Sequence, residues 1–270
     1  MEERTFCGIC KCTILDTKFE EHVKKCVENP FNYILSDYQR CAVKYCKNKS
    51  KISFKENREK VKLLWNYYGY DIELLELVKN HIKNIPLIIH FNFDRLCKYF
   101  ETDGKYKNCF EISNRVVEGM RTHVEDVLFN EIYGKSSAKE KPRYGCLNLY
   151  LDKSGVTSAK SYGDSYMILK NDVKNRTSFV VGDSFGKPQY IHTFEYFEHM
   201  LLFMSKTTID NIISIISGKT FVDDNYPYIE AQIHGDVIFK RDVECIMINK
   251  RHENEENLKY VKDLPHQILP

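Results

Sequence analysis

The spacing of apolar and polar positions changes several times along the 270 residues. From Val61 the run VKLLWNYYGYDIELLELVKNHIKNI repeats apolar residues every three or four positions. That period predicts one or two helices, with Gly69 as a break and Pro86 as the stop. PLIIHFNF then reads as a short buried strand, and SNRVVEGMRTHVEDVLFNEIYG as a helix closing at Gly134. After the polar loop KSSAKEKPR come strand candidates at YGCLNLYL, SYMILK and TSFVVGDS, a helical stretch HTFEYFEHMLLFMSKTTIDNIISIIS, and a last strand in YIEAQIHGDVIF. Strands and helices are grouped instead of alternating, so residues 61–250 are expected to form an α+β domain with a mainly antiparallel sheet and flanking helices. The lysine-rich residues 29–60 read as a connector, and the charged residues 251–270 as a peripheral tail.

The stretch YIEAQIHG carries Glu230, Gln232 and His234 at every second position. On a strand these three share one side, while Ile229, Ala231 and Ile233 take the other. The polar side either faces water or lines a site. His90, within PLIIHFNF, reads as a hydrogen-bonded core histidine or as a general base.

Composition narrows the classes. The chain is 43% hydrophobic, with 40 basic against 38 acidic residues and a net charge of +2, so no global field draws it to nucleic acid or to an anionic membrane. No membrane interaction is expected, because no run approaches the roughly 18 apolar residues of a span. The N-terminus MEERTFCGIC lacks the apolar core of a signal peptide, so the expected location is intracellular and soluble, in cytoplasm or nucleus. There is no P-loop and no G-x-G-x-x-G after a strand, which argues against P-loop NTPases and Rossmann dehydrogenases.

Six of the ten cysteines precede residue 47. Cys7, Cys10, His22 and Cys26 form C-x2-C-x11-H-x3-C, a tetrahedral zinc spacing, within residues 1–28. His22 and Cys26 are four apart on a predicted helix whose start carries the capping box Thr17-x-x-Glu20. Four filled positions make the expected zinc structural. The spacing resembles the small C2HC fingers of ubiquitin-binding and DNA-repair proteins, which implies a protein partner such as ubiquitin. Lys24 stands where the ubiquitin-binding version usually has aspartate, and a lysine there suits an acidic partner or nucleic-acid phosphate instead.

The phrases IHFNFDR, GKYKNCFEISN, LFNEIYG, PRYGCLNLYL, SYGDSYMIL, RTSFVVGDS and YIEAQIHGDVIFKRDVE occur in an order that resembles an uncharacterised family, domain of unknown function 3626, over residues about 85–245. The same region is similar to the mono-ADP-ribosyltransferase fold, in which a first strand carries Arg or His, a second Ser or Tyr, and a late strand Glu. That likeness implies NAD as the bound dinucleotide, Arg143, Ser165 and Tyr166 as its contacts, and Glu230 as the catalytic group, with Gln232 and His234 beside it. Arginine-modifying members carry the catalytic glutamate two residues after a Gln or Glu, whereas Glu230 comes first here and Gln232 second. Two other readings stay open. One is a hydrolase or nuclease using His90, Glu230 and His234 with a second metal. The other is an interaction protein without catalytic activity.

Overall fold

The computed structural model of the protein describes residues 4–6, 13–28, 35–112, 115–186, 188–219 and 228–269. At the N-terminus, β1 (Arg4–Phe6) pairs antiparallel with β2 (Thr13–Leu15), followed by α1 (Phe19–Glu28). Cys7 and Cys10 lie outside the described residues. His22 and Cys26 lie on α1, whose backbone alone is described at those positions.

The segment read as a connector is mostly α2 (Asp37–Tyr67), one helix of 31 residues. Ser36 starts it with a capping box: its hydroxyl accepts from the Gln39 N–H, and the Gln39 side chain accepts from the Ser36 N–H. The buried positions are Gln39, Ala42, Cys46, Ser50, Ser53, Asn57, Val61 and Trp65. They recur at the helical three- and four-residue spacing, but most are small or polar, so a hydrophobic pattern does not reveal them. Their small size lets the helix lie close to the sheet. The Ser50 hydroxyl accepts from the Thr193 N–H at 3.0 Å and donates to the Tyr196 carbonyl.

Gly69 ends α2 with φ +78°, and α3 (Ile72–Asn84) follows, stopping at Ile85 in extended backbone before Pro86. Then come β3 (Leu87–Phe91), α4 (Phe93–Thr102), β4 (Lys105–Tyr106), α5 (Cys109–Ile112) and α6 (Arg115–Phe129). Asn92 caps α4, its side chain accepting from the Arg95 N–H. The strands β5 (Arg143–Leu147), β6 (Ser165–Leu169) and β7 (Thr177–Val181) fall within the expected strand stretches YGCLNLYL, SYMILK and TSFVVGDS, β5 starting one residue earlier. The next stretch is helical only in its second half: β8 (His192–Thr193) and a short 3-10 turn precede α7 (Lys206–Ile216), which Ser205 caps. The chain closes with β9 (Ile229–Ile233), β10 (Val237–Ile238), α8 (Phe239–Asp242), β11 (Val243–Ile248), α9 (Glu255–Leu258) and β12 (His266–Ile268).

Eight strands make the main sheet in the order β12-β11-β6-β3-β5-β9-β7-β8, antiparallel throughout except for the β11–β12 pair. The architecture is therefore α+β with a mainly antiparallel sheet and flanking helices. The C-terminal segment is not peripheral. It adds the edge strand β12 and buries Val261, Leu264 and Leu269 in the main core. Short apolar anchors among charged residues concealed that role. Among the described residues no helix is long and apolar enough to cross a membrane.

Candidate active site

β9 lies between β5 and β7. Cross-strand partners share a face, and Glu230 pairs with Cys146 and Val180, while Gln232 pairs with Tyr144 and Ser178. One face of the sheet thus holds Glu230, Gln232, Tyr144, Cys146 and Ser178. Across β3, Ile88 pairs with Cys146 and His90 with Tyr166, which extends the same face to His90 and Tyr166. Ile229, Ala231 and Ile233 point the other way into the main core. Glu230, Gln232 and His234 are all 0% exposed, so the alternation does not mark a wet strand. The end of α6, the turn after it and the first half of α2 cover it, packing Phe129, Tyr133, Ala42 and Cys46 against Val180.

Buried polar groups need partners, and here they find one another. The Gln232 side-chain nitrogen lies 3.0 Å from Glu230 Oε1, and Ser178 Oγ lies 3.1 Å from Gln232 Oε1. His234 Nε2 lies 3.3 Å from Ser178 Oγ, and its Nδ1 2.7 Å from the Tyr133 hydroxyl. Glu230 Oε2 makes no close hydrogen bond among the described residues, and the Ser184 hydroxyl is the side chain placed to serve the carboxyl beside Gln232. Burial raises the Glu230 carboxyl above its ordinary range, with Ser184, Arg121 and Gln232 acting against the shift. Burial, helped by Arg176, pushes His234 down to about 3, so its imidazole is neutral.

Arg121 is the cation of this site. Its guanidinium is sandwiched 4.2 Å from the Tyr144 ring centroid and 4.4 Å from that of Phe185, and it donates to Ser184 Oγ at 3.2 Å. Only 8% of the residue is exposed, yet it makes no ion pair with the described residues. One turn along α6, Glu125 accepts from the Tyr144 hydroxyl at 2.9 Å and lies 3.3 Å from Lys141 Nζ. Burial still pushes the Glu125 carboxyl up to about 7.

Arg121, Tyr144 and Cys146 open onto a cleft of about 330 Å³ whose wall also includes Tyr99, Tyr162 and Tyr228. That is room for a nucleoside-sized group in mainly aromatic surroundings. Arg95 and Lys107 stand at the same cleft. Burial, reinforced by the negative charge of Glu230, raises the Tyr228 hydroxyl and the Cys146 thiol, so both stay protonated.

The residues read from the sequence do not all converge. Arg143 pairs with Ile233 and Ser165 with Phe91, placing both on the face opposite Glu230. Arg143 is a buried staple, not a phosphate contact. Its Nη1 donates to the Lys139 and Lys141 carbonyls at 3.0 and 3.1 Å, and its Nη2 pairs with Glu111 at 3.3 Å and with Asp236. Ser165 Oγ accepts from the Asn249 N–H at 3.0 Å. Tyr166 does share the face of Glu230, but its hydroxyl donates to the Lys153 carbonyl and its ring packs on His90. Both His90 nitrogens are engaged: Nε2 accepts from the Val156 N–H and Nδ1 donates to the Gly163 carbonyl, each at 2.9 Å. The core-histidine reading is the one this geometry matches. Gly155 permits it, because a Cβ there would come within 2.5 Å of His90 Nε2.

None of Glu230, Gln232 and His234 lines the cleft: all three are buried, with Glu230 beneath the wall that its strand partner Cys146 and the neighbouring Tyr144 and Tyr228 form. The turn that follows is pinned by two arginines: Arg176 donates to the carbonyls of His234 and Asp236, and Arg143 pairs with the Asp236 carboxylate. Gly235 has φ +87°, and any Cβ there would strike Leu35. Among the described residues no group of three His, Cys, Asp or Glu side chains could hold a metal ion. Arg121, Glu125 and Tyr144 are not among the site residues expected from the sequence, because no motif or spacing marks them.

The fold and site define a mixed α+β domain with a buried carboxylate beside an aromatic, arginine-bearing cleft. Residues 87–213 match the family described as protein of unknown function (DUF3626), which supports the family resemblance of the phrases quoted above. The β9 stretch that holds Glu230 lies beyond the matched residues. No curated protein matches the chain significantly.

Proposed function

We propose that the chain is an ADP-ribosyltransferase-like enzyme that cleaves the N-glycosidic bond of NAD, with Glu230 meeting the charge that develops. One observation carries the reading: the buried Glu230 carboxylate stands close to Arg121, which makes no ion pair with the described residues, and to an aromatic cleft. When the bond from the ribose to the nicotinamide nitrogen breaks, the electron pair leaves with nicotinamide and positive charge stays on the sugar. A fixed carboxylate stabilises that charge, and an acceptor nucleophile then bonds to the sugar carbon. Tyr144, Tyr162 and Tyr228 offer ring faces for the nicotinamide, and Arg121 offers a cation for a phosphate. Compared with the sequence expectation, the trio Arg143, Ser165 and Glu230 becomes Arg121, Tyr144 and Glu230.

In the same reading the N-terminal segment is a structural zinc finger on Cys7, Cys10, His22 and Cys26, which docks the enzyme on a protein or nucleic-acid target. The hairpin of β1 and β2 brackets Cys7 and Cys10 in sequence, and α1 carries His22 and Cys26, a plan that suits such a finger. The test is incubation of the full chain with labelled NAD and a cell lysate, following free nicotinamide and labelled protein. The expected result is release and transfer that Glu230→Gln abolishes. Neither signal above the Glu230→Gln background would sink the proposal.

A further inference from the structure

We propose that Tyr133, His234, Ser178 and Gln232 are positioning residues: they hold Glu230 as a carboxylate in one orientation through a chain of hydrogen bonds that all run one way. The inference rests on Glu230 being the working group of the site, as proposed above. Its effect on Glu230 can nevertheless be read without turnover.

The direction of the chain follows from the inventory of donors and acceptors. An ionised Glu230 can only accept, so Gln232 must turn its NH2 toward Oε1, at 3.0 Å. The Gln232 carbonyl then faces Ser178 and takes its hydroxyl proton at 3.1 Å. With that proton committed, Ser178 Oγ accepts from His234 Nε2–H at 3.3 Å. A neutral imidazole protonated at Nε2 has a bare Nδ1, which accepts from the Tyr133 hydroxyl at 2.7 Å. Four contacts, fixed by chemistry in sequence, end on one carboxylate oxygen.

Run backwards, the chain needs a protonated Glu230 that donates to a flipped Gln232. His234 Nδ1–H would then donate to Tyr133, whose own O–H would have no acceptor among the hydrogen bonds of the described residues. Tyr133 is 0% exposed, and a buried O–H without a partner is unfavourable. The far end of the chain therefore biases Glu230 toward its ionised state. It does so without charge, because the buried His234 stays neutral and only its tautomer matters.

The chain is also kept dry. Phe129 packs edge-on against the His234 ring at 5.3 Å, and the buried Cys46 thiol sits against Ser178. The charged and titratable groups that face Glu230 from other elements are Arg121 on α6, Asp183 after β7, Cys146 and Tyr144 on β5, with Tyr162 and Tyr228. None of these is part of the chain.

The experiment is a carboxyl-carbon NMR titration of the full chain labelled at its glutamates, with Glu230→Gln to assign the resonance. Ser178→Ala and Tyr133→Phe should each raise the Glu230 midpoint by about one unit, a tenfold gain in proton affinity. Ser178→Thr, which restores the hydroxyl, should return it to the parent value. A folded Tyr133→Phe protein, checked by cooperative thermal unfolding, whose Glu230 midpoint equals the parent's would overturn the inference. So would equal midpoints for Ser178→Ala and Ser178→Thr. If the shifts occur in a protein that does not consume NAD, the positioning role stands and the proposed reaction falls.

Discussion

Replacing Arg143 by methionine separates the two roles that its position suggests. As a phosphate contact, its loss would weaken ligand binding and leave stability alone. As the staple seen in the structure, its loss strips donors from the Lys139 and Lys141 carbonyls and leaves Glu111, whose side chain is 7% exposed, without its counter-charge. Breaking a buried pair from one side costs about 3–5 kcal/mol. Asp236, the other partner, is 36% exposed and can return to water, so the lower end, about 3 kcal/mol, is the working figure. At about 2–4 °C per kcal/mol for a chain of this size, the melting temperature should fall by about 6–12 °C. Scanning calorimetry measures it, and nicotinamide release at a temperature where both proteins are folded measures the site. An unchanged melting temperature together with lost NAD turnover would refute the staple and restore Arg143 as a ligand group.

Glu230→Gln keeps the acceptor for Gln232 but removes the charge, so NAD turnover should drop by about 10²–10³ with little change in melting temperature. Glu125 has its carboxyl pushed from 4.5 up to about 7 by burial, so folding takes up a proton between those values. Its contribution to stability is therefore greatest at low pH and falls as pH rises through that window. Glu125→Gln should flatten this part of a denaturation-versus-pH curve, and an unchanged slope would argue against the assignment. Ser50→Ala removes the clamp between α2 and β8 and should cost about 1–3 kcal/mol in urea unfolding. The full chain should carry one zinc by elemental analysis, and Cys26→Ser should lose it. A chain that binds no zinc would remove the finger.

What the sequence makes legible depends on which residues carry the pattern. β3 and β7 announce themselves because β-branched and aromatic residues fill them, β5, β6 and β9 by short apolar runs between turn residues, and Glu230, Gln232 and His234 do share a face, as their spacing requires. α2 hides because its contact stripe is Ala42, Cys46, Ser50, Ser53 and Asn57, chosen for close approach and not for apolarity. The assembly of the site depends on phase. A step of one residue along a strand reverses the face, so Tyr144 joins Glu230 while its neighbour Arg143 joins the opposite core. Strand order alone carries no such information. Arg121 and Glu125 come to the site from a helix, through a long-range contact that no local spacing encodes.

The short strand β12 has a consequence for handling the molecule. β11 is a six-residue strand, and its outer hydrogen-bonding groups are met by β12 through the Ile246–His266 to Ile248–Ile268 register. A chain cut after Ile248 would keep every residue of the candidate site but present that strand bare, a template for pairing with its own copies. Such a fragment should aggregate, whereas a tag joined beyond residue 270 leaves the edge guarded. The segment after Ile248 thus guards an edge of the sheet as well as filling its core with Val261, Leu264 and Leu269.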